Sequence, residues 1–94
     1  MTQHILKEIL AFRDARGWGK AHTPRNLASS IIIEAAELLE NYQWGESYAN
    51  EENVKEEIAD ILIYTYMLAN HLNLDIDTII REKLEKNAIK YPLP

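Results

Sequence analysis

Asp60 stands inside a helical stretch, from Ile58 to Ala69, that is otherwise almost wholly apolar, and Glu57 stands at its edge. On a wheel of about 100° per residue, Ile61, Tyr64 and Leu68 fall within about 40° of Glu57 and Val54 about 60° away, while Asp60 lies between Tyr64 and Met67. Both acids therefore belong to the face that such a helix must bury. A chain that carries carboxylates on its buried face has to bring something to neutralise them, and no other feature constrains its fold as strongly.

The preceding apolar segment repeats the theme. Between Leu27 and Leu39 the only polar residues are Ser29, Ser30, Glu34 and Glu37. Leu27 and Leu38 flank Glu34, and Ile33 lies beyond Glu37. Acid pairs three apart share a helical face, but spacing alone says little, because Glu37/Glu40 and Glu82/Glu85 have it too and a solvated face is its ordinary meaning. The apolar neighbours distinguish the two pairs. Burying four like charges costs on the order of several kcal/mol per ion unless they are protonated or neutralised. Basic partners are scarce: the segment carrying Glu34 has none after Arg25, and the one carrying Glu57 none after Lys55. Two hard dications with oxygen ligands would balance Glu34, Glu37, Glu57 and Asp60, and carboxylate-only ligation favours Mg2+ or Mn2+ over zinc or copper. A di-iron bundle would carry Glu-x-x-His, and none of His4, His22 or His71 has Glu three residues before it.

The rest of the chain reads as four helices, an all-α bundle. The first runs from about Thr2 to Ala15, with Ile5, Ile9 and Phe12 on one stripe, and stops near Gly17. Thr23 as cap and Pro24 at the first helical position open a second that continues to about Tyr42. A polar loop over residues 45–50 leads to a third, from about Glu51 to Leu72. Asp75 or Asp77 caps a fourth, ending near Lys90. No segment alternates convincingly as a strand.

At 94 residues the chain is expected to be a single domain, 1–94, marginal as a monomer; with 47% hydrophobic residues it is expected to complete its core by homo-oligomerisation. A net charge of −5 argues against a nucleic-acid backbone as partner, though bound metal would still admit small phosphate compounds. Without cysteine there is neither disulfide nor thiolate zinc site. The longest apolar run, residues 61–69, is too short for a membrane span, and no signal-peptide pattern opens the chain, so a cytoplasmic location is expected.

Glu34-Ala-Ala-Glu37, nineteen residues, then Glu57-Ile-Ala-Asp60 resembles the signature of the MazG-like all-α nucleoside triphosphate pyrophosphohydrolases. His22-Thr-Pro-Arg-Asn-Leu27 before it, Tyr42-Gln-Trp44 after it, Asp60-Ile-Leu-Ile-Tyr64 and Lys83-Leu-Glu-Lys-Asn87 with Tyr91-Pro92 extend the resemblance from about Phe12 to Pro92, in family order. The His-Thr-Pro-x-Asn-Leu and Gln-Trp elements are most similar to the dCTP pyrophosphatase branch. Many MazG proteins begin the first motif with two adjacent Glu residues; Ile33 precedes Glu34 here, and that branch also lacks the extra acid.

The resemblance implies Mg2+-dependent hydrolysis of a nucleoside triphosphate to the monophosphate and pyrophosphate, with Glu34, Glu37, Glu57 and Asp60 as metal-holding catalytic acids. It also implies a nucleotide-pool house-cleaning role and a homodimer or homotetramer whose site draws on more than one chain. Trp18 and Trp44 match tryptophans that frame the base, against a plain packing role. Lys83 and Asn87, four apart on one helical face, match a motif contacting phosphate or sugar, against a solvated lysine. Tyr64 stands either near substrate or in the core, and His22 either meets substrate or holds its loop. The related alternatives are a dUTPase-like or phosphoribosyl-ATP pyrophosphohydrolase activity, which the paired tryptophans fit less well, and a non-catalytic helical interaction module.

Overall fold

The computed structural model describes residues 2–48 and 50–94; Ala49, within the polar loop expected over residues 45–50, lies outside the described residues. Its elements are α1 (Thr2–Ala15), a short 3-10 turn (Trp18–Lys20), α2 (Pro24–Glu40), α3 (Glu51–His71) and α4 (Ile76–Lys90), with no strand among the described residues.

Local chemistry explains each boundary. α1 stops where Gly17 takes φ 65°, a left-handed conformation that glycine adopts without a Cβ penalty. The chain then makes the 3-10 turn, which hydropathy gives no reason to expect. The Thr23 hydroxyl accepts from the Asn26 amide at 3.2 Å, and Pro24 occupies the first helical position, where its missing N–H costs nothing. The Asn26 side chain also donates to the Ala21 carbonyl at 2.8 Å, tying the approach to the helix it enters.

Asn50 caps α3 by accepting from the Asn53 amide at 2.9 Å, and Glu51 and Glu52 fill the first turn, where negative charge complements the helix dipole. α3 ends with Asn73 at φ 58°, and the Leu74 amide donates back to Ala69 at 2.8 Å, a Schellman arrangement. Of the two expected caps of α4, Asp75 serves, accepting from the Thr78 amide at 3.0 Å.

α2 and α3 form an antiparallel pair. Leu27, 1% exposed, packs with Met67 and with Ile9 of α1 at one end, and Asn41 bonds to Asn53 at the other. Ile63, Tyr64, Tyr66 and Leu68 pack partly buried around that small core.

α4 buries no residue, and Ile80, Leu84 and Ile89 are exposed along it. Ile32 and Leu39 of α2 and Ile58 and Leu62 of α3 are exposed as well. The chain accordingly exposes 7583 Å2, against about 5,600 Å2 for a compact chain of its mass. Its radius of gyration is 15.8 Å, where about 12 Å would be compact. No helix of the described residues is long and apolar enough to cross a membrane.

Candidate functional site

α2 presents Glu34 and Glu37 across the seam to Glu57 of α3, and oxygens of these three carboxylates all lie within 4.8 Å of one another. Glu57 is 5% exposed, Glu34 is half-buried and Glu37 is open to solvent. Asp60, one turn further along α3, is half-buried and stands outside that tight group, near enough for its charge to act on Glu34. The four expected acids are thus arranged as three and one.

Three carboxyls this close cannot all ionise cheaply. Hydrogen bonding to Glu37, then burial, then the bond to Glu34 and repulsion from both push the Glu57 carboxyl up to about 8. Glu34 is raised chiefly by burial, with repulsion from Glu37 and Asp60 adding to it and its hydrogen bond with Glu57 opposing. One Glu34 oxygen, Oε2, is nonetheless buried without a hydrogen-bond partner. A buried, unpaired carboxylate oxygen costs about 1–3 kcal/mol or more, a cost that a donor or a cation bound there would remove. The group offers only oxygens, the donor set a hard divalent cation takes, and it could hold one.

Two hollows of about 420 Å3 each flank the acids. One is polar and runs between Glu37 and Glu57 to Glu40, Asn41, Asn50 and Asn53. The other is apolar and begins at Asp60. Ile63, Tyr64 and Met67 of α3 form one wall, Glu8, Ile9 and Phe12 of α1 another, and Trp18 and His22 close it. Its rings touch in sequence: Phe12 to Trp18 at 5.6 Å, Trp18 to His22 at 6.0 Å, His22 to Tyr64 at 6.3 Å between centroids. The Arg16 guanidinium caps the series 3.4 Å from the Phe12 ring centre, a cation–π contact. His22 Nδ1 is buried without a partner, and burial together with the charges of Glu34 and Asp60 raises the Tyr64 hydroxyl.

Trp18, His22 and Tyr64 therefore share one cavity beside the acids. Trp44 does not join them. It is 90% exposed beyond the C-terminal end of α2, whose seventeen residues span about 25 Å, while Trp18 precedes the N-terminal end. The two tryptophans of one chain cannot frame one base. Lys83 and Asn87 sit on α4 and line neither hollow.

No motif in the sequence marks the α1 wall or the Asn41–Asn53 pair. Ile9 and Phe12 were visible as the apolar stripe of α1, but nothing in a single helix says which stripe becomes a cavity. Asn41 carried a fainter signal, as an amide following an apolar helix.

An all-helical hairpin that converges acidic pairs beside an aromatic cavity is the architecture expected of an all-α nucleotide pyrophosphohydrolase. The chain belongs to the MazG-like family, whose family model matches residues 29–94. It is 32% identical to human dCTP pyrophosphatase 1 over 90 residues, 86% of this chain and 53% of that protein. To the rat dCTP pyrophosphatase 1 it is 31% identical over 91 residues, 87% of this chain and 54% of the relative. The chain thus spans about half the length of the curated relatives it matches. The crystal structure of a pyrophosphatase from Archaeoglobus fulgidus superposes with a TM-score of 0.88 at 44% identity, covering 98% of this chain and 93% of the other.

Proposed function

We propose that this protein hydrolyses nucleoside triphosphates to the monophosphate and pyrophosphate with Mg2+, and acts in the cytoplasm on unwanted nucleotides. One observation carries the reading: Glu34, Glu37 and Glu57 converge within 4.8 Å, with a buried Glu34 oxygen lacking a partner, directly beside an aromatic-walled cavity. When bound, Mg2+ supplies charge to offset the triphosphate and to acidify the attacking water. Glu34, Glu37 and Glu57 would hold it, and Asp60 would add a fourth carboxylate. Mn2+, with the same taste for oxygen, substitutes.

The base lies in the apolar cavity, where Trp18 offers a stacking face and His22 and Tyr64 offer polar edges. This orientation runs the triphosphate past Asp60 toward the acids. Trp44, Lys83 and Asn87, which line neither hollow in one chain, serve the site of a second copy. The uncovered apolar faces of α2, α3 and α4, and roughly 2,000 Å2 of surface beyond a compact chain's, support a homodimer or homotetramer.

The test is a panel of canonical and modified nucleoside triphosphates with Mg2+, Mn2+ or EDTA, with pyrophosphate and orthophosphate both measured. Pyrophosphate in step with monophosphate, abolished by EDTA, is expected. Orthophosphate as the sole direct product would overturn the reaction, and release at background with every triphosphate would favour a non-catalytic module.

A further inference from the structure

We propose that Asn41 and Asn53 form a positioning clasp that sets the separation of Glu37 and Glu57, and through it the affinity of the acidic group for a divalent cation; the proposal rests on the metal reading above. The pair lies one helical turn from the carboxylates on both helices. Asn41 follows Glu37 by four residues, and Asn53 precedes Glu57 by four, so each amide stands about 6 Å along its helix axis from the acid it serves. The Asn41 Nδ2 donates to the Asn53 Oδ1 at 2.8 Å, across the seam between α2 and α3.

Both ends of the clasp are themselves held. The same Asn41 amide lies 3.4 Å from the backbone carbonyls of Glu37 and Leu38, which fixes it to the turn that carries Glu37. Asn53 is held through its backbone amide, which donates to the capping Asn50 Oδ1 at 2.9 Å. Asn41 is 8% exposed and, with Glu57, makes up the buried polar residues among those described. Both asparagines line the polar hollow that Glu37 and Glu57 border.

Burying an amide is unfavourable unless its hydrogen bonds are made, and an apolar residue would close this seam at lower cost. An apolar contact, however, tolerates sliding and rotation of one helix on the other. A directed bond at 2.8 Å does not, and cation ligands need their oxygens placed closely. Neither asparagine belongs to the three carboxylates that converge, so both act through Glu37 and Glu57.

The experiment is Mn2+ titration of the metal-free full chain, reading free Mn2+ by electron paramagnetic resonance, with helix content followed by circular dichroism. Asn41→Leu and Asn53→Ala should each weaken Mn2+ about tenfold, the size of effect that removing a supporting contact has on a metal site. The double variant should be no weaker than either single, because both remove one bond. Asn53→Asp keeps an acceptor for the Asn41 amide and should retain affinity within about twofold. Ala69→Gly, a buried helix position away from the acids, lowers stability without touching the clasp and should leave Mn2+ binding unchanged.

Unchanged affinity in Asn41→Leu and Asn53→Ala overturns the clasp, as do additive losses or an equal loss in Ala69→Gly. If the unaltered protein binds no Mn2+, the metal reading fails and the clasp's role with it.

Discussion

The α2–α3 hairpin and α4 use their apolar residues in opposite ways. In the hairpin, Leu27 and Met67 meet on a shared seam with Ile9, and the acids of α2 and α3 face each other further along it. In α4, Ile80, Leu84 and Ile89 point to solvent, and no residue is buried. α4 is capped as well as the hairpin helices are, with Asp75 on the Thr78 amide, so its lack of packing is no failure of local structure. Helix formation and helix burial are separate events. The hairpin supplies both for itself, whereas α4 is formed and capped without burying a side chain.

The largest effect is expected for Glu57→Gln in the hairpin. Turnover should fall at least about a hundredfold, because a metal-held transition state is worth several kcal/mol. Helix content should persist, since glutamine is neutral and of the same shape as the protonated carboxyl it replaces. Full activity in that variant would end the metal assignment. Leu27→Ala should cost the hairpin about 3 kcal/mol of stability, read by urea unfolding, for a side chain 1% exposed. The same deletion at Leu84, exposed in the single chain, should cost as much only if a second copy covers α4. Equal tolerance of Leu84→Ala at high and low protein concentration would instead leave α4 uncovered.

Trp18→Ala should raise KM about tenfold with less change in kcat, the scale of one base-stacking contact. A variant that loses kcat alone would remove Trp18 from the base cavity. Mixing Glu57→Gln chains with Lys83→Ala chains should restore about a quarter of the parent activity if the site of one chain is completed by α4 of another, because half the dimers are mixed and one of their two sites is intact. No recovery would return Lys83 to a solvated face.

The smallest effect concerns pH. Glu57 titrates near 8 in the folded metal-free protein against an ordinary 4.5, so between these values the folded state holds a proton that the unfolded chain has lost. Stability should therefore fall as pH rises through this window, read as a falling Tm. Saturating Mg2+ takes the proton's place and should flatten the slope, as should Glu57→Gln. Metal affinity should rise over the same window as binding displaces the proton. A Tm without slope from pH 5 to 8 in the metal-free protein would show that Glu57 keeps no such proton.

Much of this architecture was legible in the residues. Thr23-Pro24, Asn50, Asp75 and Gly17 mark helix boundaries, because capping and left-handed turns are decided within a few residues of chain. The apolar neighbours of Glu57 likewise foretold its burial, because a helical face is a property of one helix. The site was less legible, since its geometry depends on the distance and rotation between helices. The wheel places Asp60 on the same face as Glu57, yet across the seam the oxygens of Glu34 and Glu37 meet Glu57, and Asp60 turns to the aromatic cavity. Trp18 and Trp44 looked like a pair until the length of α2 came between them.

By itself, then, the sequence determined the four helices, the Thr23 cap of α2, the lack of a run long and apolar enough to span a membrane and the acids that must be neutralised, all of which follow from local chemistry and single-helix periodicity. Tertiary structure alone decided that three acids converge while a fourth faces a cavity, that α1 supplies that cavity's far wall, and that an Asn41–Asn53 bond ties the two helices one turn from the acids. These are facts about the space between helices. Packing sets that space, and no single segment encodes it.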